Sequence, residues 1–451
     1  MPAPQDAAGR LTYELDRAHV FHSWSAQKEL DPMVVTRSEG SYLWDADGQR
    51  YLDFSGQLVY TNVGHQHPRV VAAIQEQAAT LCTIAPAHAN DKRALAAKLI
   101  TDRAPDGLNM VFFTNGGADA VEHAVRMARL HTGRRKILTQ YRGYHGGTDL
   151  TINMSGDHRR WPNDDGRSGV VHFWGPFLYR SAFHATTEEE ECARALAHLE
   201  ETIRFEGPDS FAALVLETVA GTSGVMPPPP GYLAGVREIC DRYGIVYVAD
   251  EVMVGFGRTG RWFAVEHFDV TPDLITFAKG VNSGYVPMGG VVVSDAIAET
   301  FAHRVYPGGL TYSGHPLAAA AAVATIEAMT DERMVENAAE IGRTLLGPGL
   351  HDLAERHPSI GEVRGLGAFW ALDLVTDRAT KEPLAPYGGT SPAVKAVLST
   401  AKQHGLLVFN NYHRVHLAPP LNVTEPEVKE ALGALDVALG AADDAYTGAS
   451  L

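Results

Sequence analysis

Six short apolar runs divide the middle of the chain, and stretches with helical spacing lie between most of them. The runs cover residues 110–115, 136–141, 212–219, 245–251, 274–279 and 289–294. Each is almost continuously hydrophobic, which is typical of strands that are covered on both faces. Because these runs alternate with amphipathic stretches, the pattern predicts an α/β fold with a mostly parallel central sheet.

Three of the intervening stretches carry clear helix signals. In HPRVVAAIQEQAATLC the apolar residues recur on one face, and Pro68 suits a first turn. GYLAGVREICDRYG follows four prolines, which end any preceding element. In TTEEEECARALAHLEETI the threonines precede four glutamates. We interpret this run as a capped helix start whose acidic residues complement the helix dipole.

The two ends of the chain have a different pattern of hydrophobic and polar residues. SYLWDADGQRYLDF holds two short apolar segments around an Asp-Gly turn, which predicts a hairpin within residues 1–60. After about residue 325, helix-like stretches enclose the runs GAFWALDLV, LLVFN and RVHLAP, which predicts a small α+β domain. We therefore divide the chain into an N-terminal segment that joins the small domain (1–65), a large domain (66–325) and a C-terminal small domain (326–451).

Composition narrows the function classes. The 451 residues are 45% hydrophobic, so the chain can bury a large core. Acidic residues outnumber basic ones 54 to 38, and the net charge of -16 argues against nucleic acid or anionic lipid as a partner. Three cysteines predict neither a disulfide framework nor a Cys-rich metal site, and we expect a cytoplasmic location. No signal-like N-terminus or long apolar run occurs, so no membrane segment is predicted.

Two histidines, His65 and His67 in VGHQHP, invite a metal hypothesis. No third ligand accompanies them at helical or hairpin spacing. Histidines that form turns or lie in a core are also commoner than metal ligands. We therefore predict no metal site.

Polar residues follow four of the predicted strands at their carboxyl ends, the edge at which open parallel sheets bind ligands. Two glycines at 116–117 follow the first run and open a helix, whose free N–H groups suit a phosphate. Tyr144 and His145 follow the second run, on the loop after the strand. Asp250 closes the fourth run and Lys279 closes the fifth. These residues are therefore expected to face one crevice.

Lys279, in LITFAKG, is the most unusual of them, because an unpartnered ammonium is costly in an interior. A solvated lysine at a strand end is one interpretation, and a lysine buried for its chemistry is the other. The other residues also have ordinary explanations: a turn at the glycines, packing for Tyr144, a helix cap for Asp250 and a surface charge for Glu217. Together, however, they meet the needs of pyridoxal phosphate. That cofactor takes a lysine for its aldehyde, an acid for its pyridine nitrogen, a ring to stack on and a phosphate site.

Seven segments together resemble the class III pyridoxal-phosphate aminotransferases of fold type I, also called ω-aminotransferases. They are TNGGADAVEHAVRMAR, YRGYHGGT, LETVAGTSGVMPPPPGYL, VADEVMVGFGRTGRWFA, PDLITFAKGVNSGYVPMGG, GGLTYSGHP and VRGLGAFWAL, in this order across nearly the whole chain. The resemblance implies a pyridoxal 5'-phosphate cofactor. It also implies that Lys279 binds the cofactor aldehyde and acts as the catalytic base, and that Asp250 pairs with the pyridine nitrogen.

The resemblance also assigns the other cofactor contacts. Tyr144 and Val252 lie against opposite faces of the ring, and Gly117 and Ala118 contact the phosphate. The cofactor-binding set is completed by Gly116, His145 and Glu217, the last of which matches the active-site glutamate of the family. Thr311, in TYSGHP, reaches the cofactor phosphate of the neighbouring subunit in such enzymes. This implies an obligate homodimer with shared active sites.

One departure from the family pattern concerns the phosphate site. Relatives usually have TNSGSEA where this chain has TNGGADA, so hydroxyl groups are missing at Gly116 and Ala118 and a glutamate is shortened to Asp119. Loss of a hydrogen bond to a charged group costs roughly 1.5–3 kcal/mol. Because the backbone N–H groups remain, we predict weaker cofactor retention and not loss of function.

The resemblance fixes the substrate contacts less firmly. Residues that match pocket-lining regions of the family are Trp24, Leu58, Val59 and Tyr60, a lining that favours an amine with an apolar substituent. Relatives that act on amino acids such as ornithine often carry an arginine at the position of His416, and Arg414 lies two residues earlier on the same strand face. Arg414 is therefore either a carboxylate clamp or a solvated or structural arginine. The flexible arginine of amine:pyruvate transaminases aligns near Phe409.

These features predict an aminotransferase that moves an amino group from a primary amine or ω-amino acid to pyruvate or a related keto acid. Taurine, β-alanine and arylalkyl amines stay open as donors, because fold and cofactor residues do not fix the donor. One rival is a cofactor-sharing aminomutase, which needs no keto-acid acceptor. Another is a catalytically silent cofactor-binding protein, although the chain shows no sign of the DNA-binding module that such regulators carry.

Overall fold

The computed structural model describes residues 4–164 and 169–449. The strands are β1 (Val35–Glu39), β2 (Tyr42–Asp45), β3 (Arg50–Asp53), β4 (Leu108–Thr114), β5 (Lys136–Gln140), β6 (Val170–Phe173), β7 (Phe211–Glu217), β8 (Val246–Asp250), β9 (Leu274–Phe277), β10 (Gly289–Ser294), β11 (Ile360–Leu366), β12 (Phe369–Asp377), β13 (Glu382–Pro383), β14 (Leu406–Leu407), β15 (Phe409–Asn411) and β16 (Arg414–Leu417). The helices are α1 (Ala7–His19), α2 (Gly56–Val59), α3 (Pro68–Thr80), α4 (Asp91–Thr101), α5 (Gly117–Thr132), α6 (Asp149–Met154), α7 (Glu188–Glu206), α8 (Tyr232–Tyr243), α9 (Asp295–Thr300), α10 (Pro316–Asp331), α11 (Met334–Ile341), α12 (Gly347–Arg356), α13 (Pro392–Gln403) and α14 (Glu425–Asp443). None of these described helices is both long enough and apolar enough to span a bilayer.

The central sheet has the strand order β4-β10-β9-β8-β7-β5-β6. Strand β10 runs antiparallel to β4 and β9, and the pairings from β9 through β8, β7 and β5 to β6 are parallel. The predicted α/β fold with a mostly parallel sheet is therefore confirmed, and all six apolar runs form strands of it. Strand β6 was missed, because His172 interrupts its short apolar run.

Both faces of this sheet are covered, which explains why its strands are almost continuously apolar. In β8, Tyr247 and Ala249 belong to one core cluster, whereas Val246 and Val248 belong to another. Successive side chains of a strand point to opposite faces, so each face has its own core. The alanine-rich helix α10 lies in the first cluster, and α5 covers the second.

The expected helix starts are present. Thr187 caps α7 by accepting a hydrogen bond from the backbone N–H of Glu190 (3.2 Å). Pro68 occupies the first turn of α3, and α8 follows the four prolines. Helix α5 ends at Gly133, whose φ of 72° lies in the left-handed region that glycine adopts most easily. Local helix chemistry thus explains the start of α7, whereas Glu191 of the acidic run is buried and accepts a hydrogen bond from the N–H of Phe177 (2.7 Å).

The N-terminal hairpin and the C-terminal third share structure. Strands β2 and β3 form the predicted hairpin, and the short strand β14 pairs in parallel with β3. Leu52 and Phe54 lie in the same hydrophobic cluster as residues of β12, β16 and α14. A second sheet, in the order β11-β12-β16-β15, supports that cluster. The division of the chain at residues 65 and 325 stays a prediction.

Candidate active site

Lys279 lies just beyond the carboxyl end of β9. The strand ends at Phe277, two residues earlier than the sequence run indicated, and Lys279 begins a 3-10 turn that extends to Val281. Its φ of 44° places a non-glycine residue in the left-handed region. Backbone in such regions costs on the order of 1–3 kcal/mol and is typical of functional sites. The lysine therefore lies outside the ladder of β9, and the residues of that strand are buried.

The environment of Lys279 favours a neutral amine. Burial lowers its pKa, and the nearby charges of Asp250 and Glu217 only partly oppose that effect. The side chain is nevertheless partly accessible, as a group that reacts with small molecules must be. Of the two initial interpretations, a lysine buried for its chemistry therefore fits better than a solvated one.

Asp250, at the end of β8, is fixed by donors from three directions. Its Oδ2 lies 2.7 Å from Nδ1 of His145, and its Oδ1 accepts hydrogen bonds from Oγ1 of Thr276 and the N–H of Val252, both at 3.1 Å. Nε2 of His145 in turn lies 3.1 Å from Oγ1 of Thr139. Burial opposes a charge on His145, but the hydrogen bond to Asp250 raises its pKa above the usual value. The pair holds the carboxylate rigidly in one orientation.

Glu217, at the end of β7, joins this group. Its oxygens accept hydrogen bonds from the backbone N–H of Tyr144 (2.8 Å) and of Gly221 (2.9 Å). Burial raises the pKa of Glu217. The structure thus brings together Lys279, Asp250, His145, Glu217 and Tyr144, which come from strand ends far apart in sequence. The surface-charge interpretation of Glu217 is wrong, since this residue is 6% exposed.

The backbone at the start of α5 is open to the close approach of a ligand. Gly116 occupies the N-cap and supplies no side chain to the free N–H groups of the first turn. A Cβ on Gly117 would lie 2.7 Å from Val252, and a Cβ on Gly146 would lie 2.6 Å from that of Ala118. Only glycine fits at these two positions. The residues predicted for the phosphate and for one ring face are therefore neighbours, and the helix terminus suits an anion.

The residues predicted to contact the substrate differ widely in their exposure to solvent. Trp24 and Leu58 are 70% and 51% exposed, whereas Val59 is buried and Tyr60 is partly buried. Val59 has a φ of 62°, an unusual conformation for a β-branched residue. Thr311 is exposed in the chain on its own. None of these residues joins the cluster around Lys279 through a described hydrogen bond.

Arg414 is 6% exposed and has Asp373 as its ion-pair partner, with Nε 3.4 Å from Oδ2. His416 lies beside it on β16 and stacks on Phe409 with 4.4 Å between ring centres. Burial, with the charge of Arg414, lowers the pKa of His416 to about 3. The position at which ornithine-type relatives carry an arginine therefore holds a neutral ring. The role of Arg414 as a carboxylate clamp stays a prediction.

The histidines of VGHQHP face separate carboxylates. Nε2 of His65 lies 2.9 Å from Oδ2 of Asp53, and Nε2 of His67 lies 3.1 Å from Oε1 of Glu332. No group of three potential metal ligands occurs in the part of the chain that the structure describes. These contacts give both histidines a structural role.

Arg159 is the main residue that sequence reasoning missed. It lies in the 3-10 turn His158–Asn163, and its guanidinium carbon is 3.7 Å from the ring centre of Tyr144. Asp157 holds it in place, with Oδ2 accepting a hydrogen bond from Nε at 2.9 Å. Its charge acts on Lys279 and helps to lower the pKa of that lysine. The one available signal was the arginine pair in DHRRW, which by itself indicates only a polar turn.

Comparisons with known proteins agree with this geometry. The family model described as aminotransferase class-III matches residues 24–439. The chain is 36% identical to taurine–pyruvate aminotransferase of Rhodobacter capsulatus, covering 97% of this chain and 98% of that protein. It is 33% identical to putrescine–pyruvate aminotransferase of Pseudomonas aeruginosa, covering 95% of both. A solved structure of taurine:2-oxoglutarate aminotransferase from Bifidobacterium kashiwanohense, in complex with PLP and glutamate, is 41% identical with a TM-score of 0.94, covering 98% of this chain and 99% of that one.

Proposed function

The chain belongs to the class-III aminotransferase family, and we propose that it moves the amino group of a short ω-amino acid, carboxylic or sulfonic, to a keto acid. Its cofactor is pyridoxal 5'-phosphate, which takes the amino group from the donor and passes it to the acceptor. At the coarser level it is an aminotransferase for a primary amine or ω-amino acid with pyruvate or a related keto acid. The position of Arg159 over the ring of Tyr144, whose backbone is bound by Glu217, carries the choice of an anionic donor.

The residues present fit the cofactor. Lys279 would bind its aldehyde, and the fixed carboxylate of Asp250 would hold a protonated ring nitrogen. The uncapped start of α5 at Gly117, which leaves no room for a side chain, would hold the phosphate. Tyr144 would lie against one face of the ring and Val252 against the other. These assignments follow the resemblance and are supported by the contacts described above.

Lys279 carries the proton transfer. Burial lowers its pKa, so a larger fraction of Nζ is neutral and able to accept a proton from the donor carbon that bears the nitrogen. Asp250 keeps its orientation through the three donors around it and so keeps a negative charge fixed at the ring nitrogen. Glu217 fixes the backbone of Tyr144, which positions the aromatic ring.

Arg159 is the cation best placed for the acidic end of the donor. Asp157 accepts hydrogen bonds from Nε and Nη2 of Arg159, which leaves the N–H groups of Nη1 for a ligand. Carboxylate and sulfonate oxygens match such donors well. A guanidinium near Lys279 therefore suits an amine and an anion separated by a short chain. The named relatives that act on taurine support the same donor class.

A donor panel tests this proposal. Taurine, β-alanine, putrescine and 1-phenylethylamine are compared with one keto acid, for the unmodified enzyme, Arg159→Gln and Arg160→Gln as the neighbouring control. We expect anionic donors to be preferred, and Arg159→Gln to lower their kcat/KM by roughly 10- to 100-fold with little change for putrescine. A preference for the arylalkyl amine, or equal losses for all donors, would contradict the proposal. Product formed without any keto acid would indicate an aminomutase.

We also propose a homodimer. Trp24, Leu58 and Tyr312 are large side chains that are 70%, 51% and 63% exposed, and Thr311 lies exposed next to Tyr312. In the family, the threonine at this position completes the phosphate site of the neighbouring subunit. Light scattering should therefore give twice the chain mass, and Thr311→Ala should weaken cofactor retention. An active monomer would contradict this assembly.

A further inference from the structure

Arg258, in GFGRTG, is a fully buried cation that the proposed function does not use. It is 0% exposed and is among the largest fully buried side chains of the described residues. Its Nη1 donates to the carbonyls of Ala368 (3.1 Å) and Pro419, and its Nη2 donates to Oδ1 of Asn62 (2.8 Å). Among the described residues its Nε has no hydrogen-bond partner, and its guanidinium has no carboxylate partner. Cations that are buried without a counter-ion are costly, so this residue calls for an explanation.

The side-chain amide of Asn62 is fixed at both ends. Its Oδ1 accepts the hydrogen bond from Arg258, and its Nδ2 donates to the carbonyl of Phe256 (2.7 Å). The backbone carbonyl of Asn62 accepts a hydrogen bond from the N–H of Leu421 (2.8 Å). Phe256 and Arg258 belong to the segment that follows β8, and Leu421 belongs to the C-terminal part of the chain. Asn62, which is 1% exposed, therefore has one orientation, and residues far from it in sequence set it.

That amide lies against the residue that follows Lys279. A Cβ on Gly280 would be 2.3 Å from Nδ2 of Asn62 and 3.0 Å from its Cγ, which leaves no room for a methyl group. Gly280 has no φ in the left-handed region, so the close approach of Asn62 explains the glycine and its backbone conformation does not. Gly280 is the second residue of the 3-10 turn that begins at Lys279. Asn62 therefore packs directly on the turn that carries the lysine.

Two further contacts join the residues after this turn to the N-terminal segment. The backbone N–H of Val63 donates a hydrogen bond to Oγ of Ser283 (3.1 Å). A Cβ on Gly284 would be 2.4 Å from Cδ2 of Tyr60, so these two residues are also in close contact. Lys279 and Ser283 have φ values of 44° and 57°, in the left-handed region. Such backbone persists only where surrounding contacts hold it, and the N-terminal segment supplies those contacts here.

We propose that Asn62 and Arg258 are positioning residues for Lys279. Arg258 orients the amide of Asn62, and this amide holds the backbone at Gly280 so that Nζ of Lys279 stays in the place from which it moves the proton. The proposal rests on the proposed function, in which Lys279 takes the proton from the donor. Both residues act through the turn and not on the substrate. An arginine suits this position because its planar fork serves several acceptors at once in a fixed geometry.

The first test changes the contact from both sides. Turnover of Gly280→Ala, Asn62→Ala and the double variant is measured with taurine, β-alanine, putrescine and 1-phenylethylamine, each with pyruvate. We expect each single change to lower kcat by roughly 10- to 100-fold for every donor, with little change in KM, because a displacement of about 1 Å suffices for such a loss. In the double variant the new methyl group enters the space that the amide left. The loss should therefore be smaller than the product of the two single losses.

The second test uses Arg258→Lys, with Arg378→Lys as the matched control. The guanidinium of Arg378 also donates to three backbone carbonyls, those of Ile360 (2.9 Å), His357 (2.8 Å) and Ala354. Both changes should lower the thermal transition, because an ammonium cannot serve all three acceptors. Only Arg258→Lys should also lower kcat. Only in that variant should the pH at which the bound cofactor changes its absorbance move, by roughly one unit, because this titration depends on the geometry of the lysine link.

Three results would overturn the proposal: a lower thermal transition in Asn62→Ala and Arg258→Lys with unchanged kcat and absorbance titration, equal losses of kcat in Arg258→Lys and Arg378→Lys, or single losses that simply multiply in the double variant. If Gly280→Ala does not fold alone, its folding in the presence of Asn62→Ala supports the contact, and failure to fold there contradicts it. The proposed function fails separately, because it requires that Lys279→Ala be inactive whatever the other variants do.

Discussion

Asp250 and Arg142 are both charged residues at or just after the carboxyl ends of strands of the central sheet, but their surroundings differ. Asp250 ends a central strand, and His145, Thr276 and Val252 from adjoining elements all donate to it. Arg142 follows β5, which lies between β7 and β6, and its guanidinium is held by contacts with the rings of Trp174 and Phe177, without a carboxylate partner among the described residues. The carboxylate on the proposed cofactor side is thus satisfied within the protein, whereas the guanidinium of Arg142 keeps unused hydrogen-bonding capacity.

The difference shows how this fold separates chemistry from specificity. The groups proposed to act in every turnover, Lys279 and Asp250, lie at strand ends, where the sheet fixes their positions before any ligand arrives. Arg159, which is proposed to recognise the donor, lies in a 3-10 turn outside the sheet. Donor and acceptor can thus change by substitution on one side without disturbing the other.

The largest effect is expected from Lys279→Ala. Without Nζ no covalent link to the cofactor forms and no base takes the substrate proton, so turnover should fall by at least roughly 10²- to 10⁴-fold. Borohydride trapping followed by mass measurement, together with alanine or glutamate formation, checks both parts. Lys429→Ala, on the exposed face of α14, is the control. Appreciable turnover in Lys279→Ala would place the central chemistry elsewhere.

The next effect is expected from Asp250→Asn. This change keeps the shape of the side chain but removes the charge that holds the ring nitrogen protonated, and we expect kcat to fall by roughly 10²- to 10³-fold. His145→Gln should cause a smaller fall, because it only loosens the orientation of the carboxylate. Single-turnover absorbance with the best donor gives both values. If His145→Gln were as damaging as Asp250→Asn, the two residues would have to act as one unit.

On the substrate side, Asp373→Asn should mainly affect stability. Burial would raise the pKa of Asp373, but the His413 hydrogen bond and the charge of Arg364 hold it well below its ordinary value. Breaking a buried ion pair costs about 3–5 kcal/mol, so the free energy of unfolding at pH 7 should fall by that order. Asp209→Asn, whose side chain is fully exposed, should change it by less than about 0.5 kcal/mol.

The same carboxylate predicts a direction with pH. Its stabilisation is complete above the ordinary value of 3.8 and is lost as the pH falls from there towards the lowered pKa. Urea unfolding at pH 7, 5, 4 and 3 should therefore show the difference between the unmodified protein and Asp373→Asn shrinking only at the acidic end. A difference that already disappears at pH 5 would mean that Asp373 is not the shared ion-pair partner of Arg180, Arg364 and Arg414.

The same contrast explains what the sequence could predict. Asp250 and Lys279 stand out because a charge at the end of an apolar run is rare, and strand ends of a parallel sheet converge on one edge. Helix starts such as Thr187 follow from local chemistry alone. Arg159 carries no such pattern, since its proposed role depends on its position over Tyr144, which the local sequence does not reveal. The bond between His158 and Tyr412, for example, spans 254 residues.

The smallest effect concerns the predicted phosphate site, where this chain lacks the hydroxyl groups that relatives carry at positions 116 and 118. Gly116 has extended backbone, and a Cβ there would meet no atom within 4 Å, so Gly116→Ser fits without strain. We expect Gly116→Ser and Ala118→Ser to slow cofactor loss during dialysis by about tenfold, the lower end of one hydrogen bond to a charged group. Gly433→Ser, which also projects into open space, is the control. If the unmodified protein already retains the cofactor as tightly as the serine variants, the backbone N–H groups of α5 suffice for the phosphate, and the cofactor side is satisfied here as well.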